Sequence, residues 1–491
     1  MRDRRVAAWL ALGFWLVYVP FSPGFFRSSD EVGVFETTSA LAGRADLVVP
    51  DLPHAFTGRG GRNYSIFGVG QSVLALPFYA AGRLADAALP ETWRDALAGP
   101  ERSQGATRYG GSAEIFCVGL YGPVASALLL AVFFLFERRL GASRPSALIA
   151  ALVLGGATYV AVLSTYFLRH TTEALLVLSA FYLLFAWKVN GGLHRLAWAS
   201  LLASSLLLLR VPAAASGPAL AGYALWTLRV RGAHASAGRE PPAAVWTALL
   251  APALCVAAVH VAVNQLKWGT WLISPMLGQS AYFDTPLWLG LAGFLVSPGV
   301  SLFVYSPPLV LSPWTLGASW RERRAEWIAL LAIVATSLLV CARFQLWHGL
   351  WSAPGPRMLF VAIPLLMLPL GPWLDSRAAP LGRAALGTLA GLGVAIQFLV
   401  SWVSWPGITA FMGYHAEAPG MGFLWDPARS PVAAFAMLLG RVPSDAWVAQ
   451  SLREGGDRVV VVTVLAVLWA GMLLLCARGL RRDGSVSAGV G

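Results

Sequence analysis

The sequence predicts an all-α polytopic membrane protein, a single transmembrane domain over residues 1–491. Three observations support this fold class. The chain is 57% hydrophobic and 12% charged, which is about half the charged fraction of a typical soluble protein. Its apolar residues form runs of near-membrane length. Its basic residues lie in short clusters between those runs, as expected for loops at one membrane surface.

Each span has to be helical, because the hydrocarbon core offers no water to satisfy the backbone, and a helix needs roughly 20 residues to cross it. Twelve apolar runs fit, at about 6–22, 113–136, 146–163, 173–187, 196–210, 212–228, 243–263, 300–318, 327–342, 358–374, 384–402 and 459–477. The first run lacks a small-x-small cleavage site and is followed by bulky residues, which predicts an uncleaved span rather than a secretory signal.

The basic clusters orient the chain. They occur at every second junction: Arg2/Arg4/Arg5, Arg138/Arg139/Arg144, Lys188/Arg195, Arg229/Arg231/Arg239, Arg321/Arg323/Arg324, Arg377/Arg383 and Arg478/Arg481/Arg482. The positive-inside rule places these clusters, and both termini, in the cytoplasm. The net charge of +12 therefore reflects topology. No basic face is formed, so nucleic acid is not an expected partner.

The run from Ile66 to Leu89 would invert this alternation if it crossed the membrane. We therefore interpret it as surface helices within a long first external loop, residues 22–113, with an ordinary span as the alternative. Two further external loops are expected at 264–299 and 403–458. Both are rich in Trp, Pro, Gly and Tyr, which suits loops and interfacial helices that line a cavity.

Asp30 and Glu31 lie just past the first span. A carboxylate at the bilayer centre costs roughly 3 kcal/mol on insertion scales, so the pair is expected at the water interface or in a wet cavity. One of them could act as a general base that takes a proton from an attacking hydroxyl. The alternative is a helix N-cap, since Ser28-Ser29-Asp30-Glu31 is good helix-start chemistry.

Other polar side chains lie at predicted external ends of spans or in the first loop. They are Arg62, Tyr64, Arg169, His170, Arg210, Arg343, Trp347, His348 and Arg357. A guanidinium offers a planar fork that grips phosphate and stays charged. Each arginine could instead extend to lipid headgroups. That alternative is less favoured when several arginines lie on the same, external face.

Several catalytic signatures are missing. The sequence contains no Walker A motif, no HExxH, no Cys/His metal cluster and no serine-hydrolase elbow. ATP-driven transport, zinc hydrolysis and serine hydrolysis are therefore unsupported.

Four segments resemble the GT-C superfamily of membrane glycosyltransferases, which includes protein O-mannosyltransferases and aminoarabinose lipid A transferases. They are Asp30-Glu31 after the first span; Asn63-Tyr64-Ser65-Ile66-Phe67-Gly68-Val69-Gly70 leading to Leu76-Pro77-Phe78-Tyr79; Gly299-Val300-Ser301-Leu302-Phe303-Val304-Tyr305-Ser306-Pro307; and Trp347-His348-Gly349 with Gly355-Pro356-Arg357-Met358-Leu359. The resemblance implies a GT-C-like bundle of about 12 transmembrane helices with surface helices in the first external loop.

It also implies a polyprenyl-phosphate-linked sugar as donor, an external active site and an inverting transfer. Asp30 would activate the acceptor, with Glu31 as the substitute. Arg357, then Arg210, would hold the lipid phosphate, and Trp347 and Trp351 could stack on sugar or prenyl chain. The full implied binding set is Arg357, Arg210, His348, Trp347, Arg62, Tyr64, Arg169, His170 and Arg343.

The acceptor could be a glycan, a lipid or a protein, and the location would be the bacterial inner (cytoplasmic) membrane. No cofactor is firmly implied, and a divalent metal is left open because a second acidic motif present in some members is missing. Two other functions remain: a lipid-linked sugar flippase or transporter, and a surface-polysaccharide polymerase or ligase that uses a pyrophosphate-linked donor.

Overall fold

The computed structural model describes residues 2–97, 112–234, 240–271, 283–350, 352–376, 380–414, 422–454 and 457–485. Helices dominate these ranges, with one small hairpin. The N-terminal half contains α1 (Arg2–Tyr18), α2 (Ser29–Arg44), β1 (Ala55–Thr57), β2 (Asn63–Ser65), α3 (Gly70–Ala88), α4 (Glu91–Leu97), α5 (Ser112–Gly119), α6 (Tyr121–Arg139), α7 (Arg144–Ala157), α8 (Val160–Leu163), α9 (Arg169–Asn190), α10 (Leu193–Leu209), α11 (Gly217–His234) and α12 (Pro242–Trp268).

The C-terminal half begins with short helices and ends with a long one. It contains α13 (Leu287–Val296), α14 (Leu302–Tyr305), α15 (Ser312–Ser319), α16 (Arg324–Arg343), α17 (Ala362–Met367), α18 (Leu370–Asp375), α19 (Pro380–Trp402), α20 (Trp405–Met412), α21 (Pro431–Met437), α22 (Trp447–Glu454) and α23 (Asp457–Ser485). Short 3-10 turns join several of them: Val19–Phe21, Arg59–Gly61, Val211–Ser216, Pro307–Leu311, Arg357–Leu359 and Gly422–Leu424.

Among the described residues, five helices are long and apolar enough to cross a membrane: Ala113–Arg139, Arg169–Asn190, Pro242–Trp268, Arg324–Arg343 and Pro380–Trp402. Shorter apolar helices add to them, for example Arg144–Ala157 and Leu193–Leu209. The predicted all-α polytopic class is confirmed.

Several predicted spans are not single α-helices. The run 300–318 is divided into α14, a 3-10 turn and α15, because Pro307 and Pro308 cannot donate backbone hydrogen bonds inside a helix. The run 358–374 is likewise divided into α17 and α18, joined at Pro369. The run 146–163 is interrupted at Thr158, which is extended (φ −125°, ψ 169°).

The predicted external loop 264–299 overlaps two helices, and its external location stays a prediction. α12 continues through Trp268 before it ends at Gly269, whose φ of +70° suits a helix C-terminus. The same range contains the apolar helix α13. The range 403–458 contains three short α-helices, α20 to α22, and its external location stays a prediction.

The first loop is fixed by its own apolar cluster. Phe26 packs on Phe35 of α2 and on Phe167, with ring centroids 5.1 and 5.8 Å apart. The hairpin then pairs β1 with β2, with Phe56 opposite Tyr64. As a result, the first turn of α2 is held against the segment that leads into α9. α3 covers the range predicted as surface helices and is not among the five long spans.

Candidate active site

A cavity of about 260 Å³ lies where the first loop meets α9, α10, α12 and the segment after α16. Its charged and imidazole-bearing lining residues are Asp30, His54, Arg169, His170, Arg210, His260, Lys267 and Arg357. Leucine and phenylalanine side chains form much of the remaining wall, including Leu207, Leu208, Leu209, Phe67, Phe283 and Phe344. The structure therefore brings one carboxylate and four cationic side chains into one apolar pocket.

Both oxygens of the Asp30 carboxylate are engaged. Oδ2 accepts a hydrogen bond from Arg357 Nη1 at 2.9 Å and lies 3.9 Å from Arg169 Nη2. Oδ1 lies 3.2 Å from His54 Nε2. Burial acts to raise the pKa of Asp30, but the charges of Arg357, Arg169 and His54 outweigh it and lower that pKa to about 2. Asp30 is therefore fully ionised at neutral pH.

Local sequence fixes Asp30 in the first turn of α2. Ser28 and Glu31 form a capping box, in which the N-cap hydroxyl and the N3 carboxylate satisfy backbone N–H groups that the helix start leaves free. Glu31 Oε2 accepts from Arg27 N at 2.8 Å and from Ser28 N at 3.0 Å, while Oε1 accepts from Phe167 N at 2.7 Å. These bonds tie α2 to the start of α9.

Glu31 is thus engaged on both oxygens by backbone donors and does not line the cavity. Burial raises the pKa of Glu31 to about 7, in contrast to its ionised neighbour. Glu31 therefore caps the helix, whereas Asp30 faces the cavity. A general-base role for Asp30 stays a prediction.

Replacing Glu31 by Gln is expected to lower the free energy of unfolding by about 1–3 kcal/mol, because an amide cannot accept on both sides and a buried backbone N–H loses its partner. The midpoint of thermal unfolding in detergent measures this loss. Glu91→Gln, an exposed glutamate in α4, is the matched control. A Glu31→Gln protein of wild-type stability would contradict this structural role of Glu31.

Arg357 is positioned by two glycines. Its Nε donates to the carbonyl oxygen of Gly349 at 2.6 Å. Gly349 has φ +66°, and a Cβ there would lie 2.8 Å from Arg357 Nε. Gly355 has φ +86°, and a Cβ there would lie 2.9 Å from the rings of Tyr159 and Tyr305. The Gly-Pro-Arg segment can therefore turn the guanidinium toward Asp30 only with glycine at these positions.

Arg210 lies at the end of α10 and is more fully paired. Its Nε donates to Glu173 Oε2 at 2.9 Å, and its Nη1 donates to His170 Nε2 at 2.9 Å. Its Nη2 donates to the carbonyl oxygen of Met358 at 3.3 Å. This network connects α9, α10 and the Arg357 segment, so Arg210 both lines the cavity and holds its walls together.

Lys267 is a lining residue that the sequence-based prediction missed. It is buried in the last turn of α12, and its Nζ donates to the carbonyl oxygen of Phe67 at 2.8 Å. Within the described ranges no carboxylate pairs with it. His260 and Asn264 share its helix face and also line the cavity. This spacing of three and four residues was the available signal.

The other predicted binding residues do not line the cavity. Trp347 packs on Phe294, with ring centroids 5.7 Å apart, and His348 Nδ1 accepts from Leu350 N at 3.2 Å. Arg62 is exposed beside the hairpin turn, and Tyr64 packs behind the lining residue Trp268. Arg343 is exposed, and its Nη1 donates to the carbonyl oxygen of Thr285 at 3.0 Å. Trp351 lies outside the described residues.

Among the described residues, no group of three or more His, Cys, Asp or Glu side chains could hold a metal ion. Of the described residues, Asp30 alone lines the cavity with a carboxylate, and its nearest charged neighbours are guanidinium groups. A metal site at Asp30 is therefore not built from the described side chains.

No protein-family model matches the chain. No curated protein matches it either. Three solved structures are similar. The Archaeoglobus fulgidus oligosaccharyltransferase in the apo form has 13% identity and a TM-score of 0.44, with 87% of this chain and 60% of that chain covered. Oligosaccharyltransferase AglB from the same archaeon, in complex with an inhibitory peptide and a dolichol-phosphate, has 14% identity and a TM-score of 0.32, with coverages of 98% and 55%.

The third structure is ArnT from Cupriavidus metallidurans bound to undecaprenyl phosphate. It has 14% identity and a TM-score of 0.55, with 97% of this chain and 76% of that chain covered. The chain has the fold of the GT-C membrane glycosyltransferases. At this identity the likeness establishes the fold alone. This chain spans less than two thirds of the length of the two archaeal proteins.

The GT-C-like fold that the sequence predicted is confirmed. Within the GT-C fold, two of the four resembling segments reach the cavity with polar side chains, one through Asp30 and the other through Arg357. His54 also contacts Asp30. His54 was not among the predicted binding residues.

Proposed function

We propose that this protein transfers a sugar from a polyprenyl-phosphate donor to an acceptor hydroxyl, with Asp30 as general base. The observation that carries the proposal is the placement of Asp30 in one cavity with Arg169, Arg210, Lys267 and Arg357. The GT-C fold supports it, since fold-mate ArnT was crystallised with undecaprenyl phosphate. A carboxylate beside phosphate-binding cations suits an acid–base step next to a phosphate leaving group.

The cation balance suits a lipid phosphate. Arg210 is paired with Glu173 and Arg357 with Asp30. Arg169 and Lys267 are the less compensated cations, because Arg169 lies 3.9 Å from Asp30 and Lys267 donates to a neutral carbonyl. A sugar phosphodiester carries one negative charge, and the departing monoester carries up to two. The two less compensated cations can therefore stabilise the negative charge that develops on the phosphate as the bond between sugar and phosphate breaks.

The apolar wall suits the prenyl chain. Leu207, Leu208 and Leu209 at the end of α10, with Phe283 and Phe344, line the same cavity as the cations. A polyprenyl phosphate has a charged head joined to an apolar chain, and this juxtaposition matches both parts. A free sugar nucleotide would leave the apolar wall without a partner.

The proposed step inverts the anomeric carbon. The acceptor oxygen forms a bond to that carbon while Asp30 takes the hydroxyl proton. The bond between the carbon and the phosphate oxygen breaks, and its electron pair leaves with the phosphate. The products are the glycosylated acceptor, polyprenyl phosphate and a protonated Asp30, which then releases its proton to solvent.

The ion pair between Asp30 and Arg357 predicts that the donor binds before the acceptor reacts. Asp30 with a pKa of about 2 is a weak base, since general bases work best with a pKa near the operating pH. A donor phosphate competes for the Arg357 guanidinium that lies 2.9 Å from Asp30. Donor binding would therefore release the carboxylate and raise its pKa before the acceptor hydroxyl is attacked.

The pH profile of kcat/KM tests this coupling, because it reports ionisations in the free enzyme. With Asp30 ionised from a pKa of about 2 upward, we expect no acid limb from Asp30 between about pH 5 and 8. Arg357→Gln removes a lowering charge, so burial dominates and the pKa of Asp30 rises. The variant should then lose kcat/KM as the pH falls, whereas an unchanged profile would contradict the coupling.

The surroundings of the reaction follow from the sequence-based topology. The cavity is proposed to face the non-cytoplasmic side of a bacterial inner membrane, with both termini in the cytoplasm and loops 22–113, 264–299 and 403–458 on the cavity side. Glycan, lipid and protein acceptors remain alternatives. Accessibility of introduced cysteines to an impermeant reagent in whole cells tests this orientation.

The function is tested with purified protein in nanodiscs and radiolabelled polyprenyl-phosphate sugars. Transfer or slow hydrolysis by the wild-type protein, lost in Asp30→Asn, is the expected result. Equal scrambling of labelled lipid by both proteins, without transfer, would favour the flippase. Turnover of a pyrophosphate-linked donor alone, independent of Asp30, would favour the polymerase or ligase.

A further inference from the structure

An arginine-rich pocket lies at the opposite end of the bundle from the Asp30 cavity. α9 begins at Arg169 in that cavity, and its far half carries Tyr182 in this second pocket. The pocket has a volume of about 370 Å³. It is lined by Arg2, Asp3, Arg4, Leu135, Arg138, Arg139, Arg144 and Tyr182. Five arginines and one aspartate leave an excess of four positive charges.

The arginines are held in place. Asp3 Oδ2 accepts from Arg138 Nε at 3.1 Å, and Asp3 Oδ1 accepts from Arg144 Nε at 2.7 Å. The side chains of Arg138 and Arg144 are only 25% and 20% exposed. Arg139 Nε donates to Tyr182 Oη at 3.0 Å, and its guanidinium lies 5.4 Å from the ring centroid. This differs from isolated arginines that extend freely toward headgroups.

Arg139 and Arg144 keep hydrogen-bond donors that a ligand could use. In the described part of the chain, the hydrogen bonds of the Arg139 and Arg144 side chains run through Nε. Their terminal nitrogens are therefore available to bind an anion as planar forks. The positive-inside rule needs only positive charge near the membrane surface. Here the start of α1, the end of α6 and the start of α7 are also joined around one pocket by Asp3.

We propose that this pocket binds the headgroup of an anionic phospholipid, most tightly one with two phosphates such as diphosphatidylglycerol. The pocket lies where the apolar helix α1 begins and the apolar helix α6 ends, both with basic residues, which is the depth expected for lipid phosphates. Leu135 gives it an apolar edge for the start of an acyl chain. The excess of four charges matches a doubly charged headgroup better than a single phosphate. The inference does not depend on the proposed sugar transfer.

The test is lipid binding to the full-length protein in detergent, measured by native mass spectrometry. Wild type is compared with Arg139→Gln/Arg144→Gln and with Arg229→Gln/Arg383→Gln. The second pair removes the same charge from exposed arginines outside the pocket. The pocket variant is expected to lose about fivefold in diphosphatidylglycerol affinity per arginine, about 25-fold in total, while the control pair changes by less than about threefold.

Other outcomes would overturn the proposal. Equal loss in both pairs would mean diffuse electrostatic attraction. Tight binding of inorganic phosphate or pyrophosphate, with the same dependence on Arg139 and Arg144, would make the ligand a soluble anion. If the double variant does not fold, Arg4→Gln replaces it, because Arg4 is exposed at the pocket, and no loss of lipid affinity there would contradict the proposal. Asp30→Asn should bind the lipid normally, which separates this test from that of sugar transfer.

Discussion

Asp30→Asn is expected to lower kcat for sugar transfer by about 10²–10⁴-fold, the usual contribution of a positioned general base. The amide keeps the size of the side chain but cannot take the acceptor proton. Donor affinity should stay constant or increase, because the change frees Arg357 Nη1 from the carboxylate 2.9 Å away. Single-turnover transfer and equilibrium binding of a radiolabelled polyprenyl phosphate measure the two quantities separately.

Asp46→Asn is the matched control. Asp46 follows α2 in the same loop and pairs with Arg44 at the surface, where the two side chains are 34% and 56% exposed. A surface change of this kind is expected to alter kcat by less than about threefold. If Asp30→Asn transferred sugar at the wild-type rate, the acceptor proton would have to go elsewhere and the proposed mechanism would be wrong.

Arg357→Gln is expected to lower kcat/KM by about 10²–10³-fold, as found when a donor that stabilises a developing negative charge is removed. Two effects combine here. The departing phosphate loses a charged fork, and Asp30 is left in a buried site with one counter-charge fewer. Arg357→Lys should restore little, because an ammonium group cannot contact both the Gly349 carbonyl and a phosphate as a planar fork can.

Arg343→Gln provides the comparison for Arg357. Arg343 belongs to the same region of the chain, but it is exposed and its Nη1 contacts the carbonyl oxygen of Thr285. Its loss is expected to change kcat/KM by about twofold or less. Equal losses at Arg343 and Arg357 would show that the effect is general charge removal rather than a specific phosphate contact.

The sequence identified most of the charged residues that line the cavity, but it also selected residues that do not line it. Asp30 and Arg357 carried usable signals, since a carboxylate past a first span and an arginine between glycine and proline are unusual in an apolar chain. The sequence could not decide which of Asp30 and Glu31 faces the cavity. The difference arises because Glu31 accepts a hydrogen bond from Phe167 N, a residue far away in the sequence.

Lys267 and the interrupted spans were missed for a related reason. Hydropathy averages over a window, so it ended α12 before its polar last turn and passed over Pro307, Pro308 and Pro369. Trp347 and His348 were chosen because they adjoin Gly349. In the structure their side chains pack on Phe294 and the local backbone instead. A motif identifies a segment, whereas the chain direction at each residue decides which side chain reaches the cavity.

The most direct test of the central claim is an electron cryo-microscopy structure of the protein with polyprenyl phosphate bound. We predict that the phosphorus lies within about 4 Å of the terminal nitrogens of Arg357 and Arg169 or of Lys267 Nζ, a distance set by direct hydrogen bonds. The Asp30 carboxylate should then have separated from Arg357 and face the open side of the cavity. A lipid phosphate bound elsewhere, with the Asp30–Arg357 pair intact, would contradict the account.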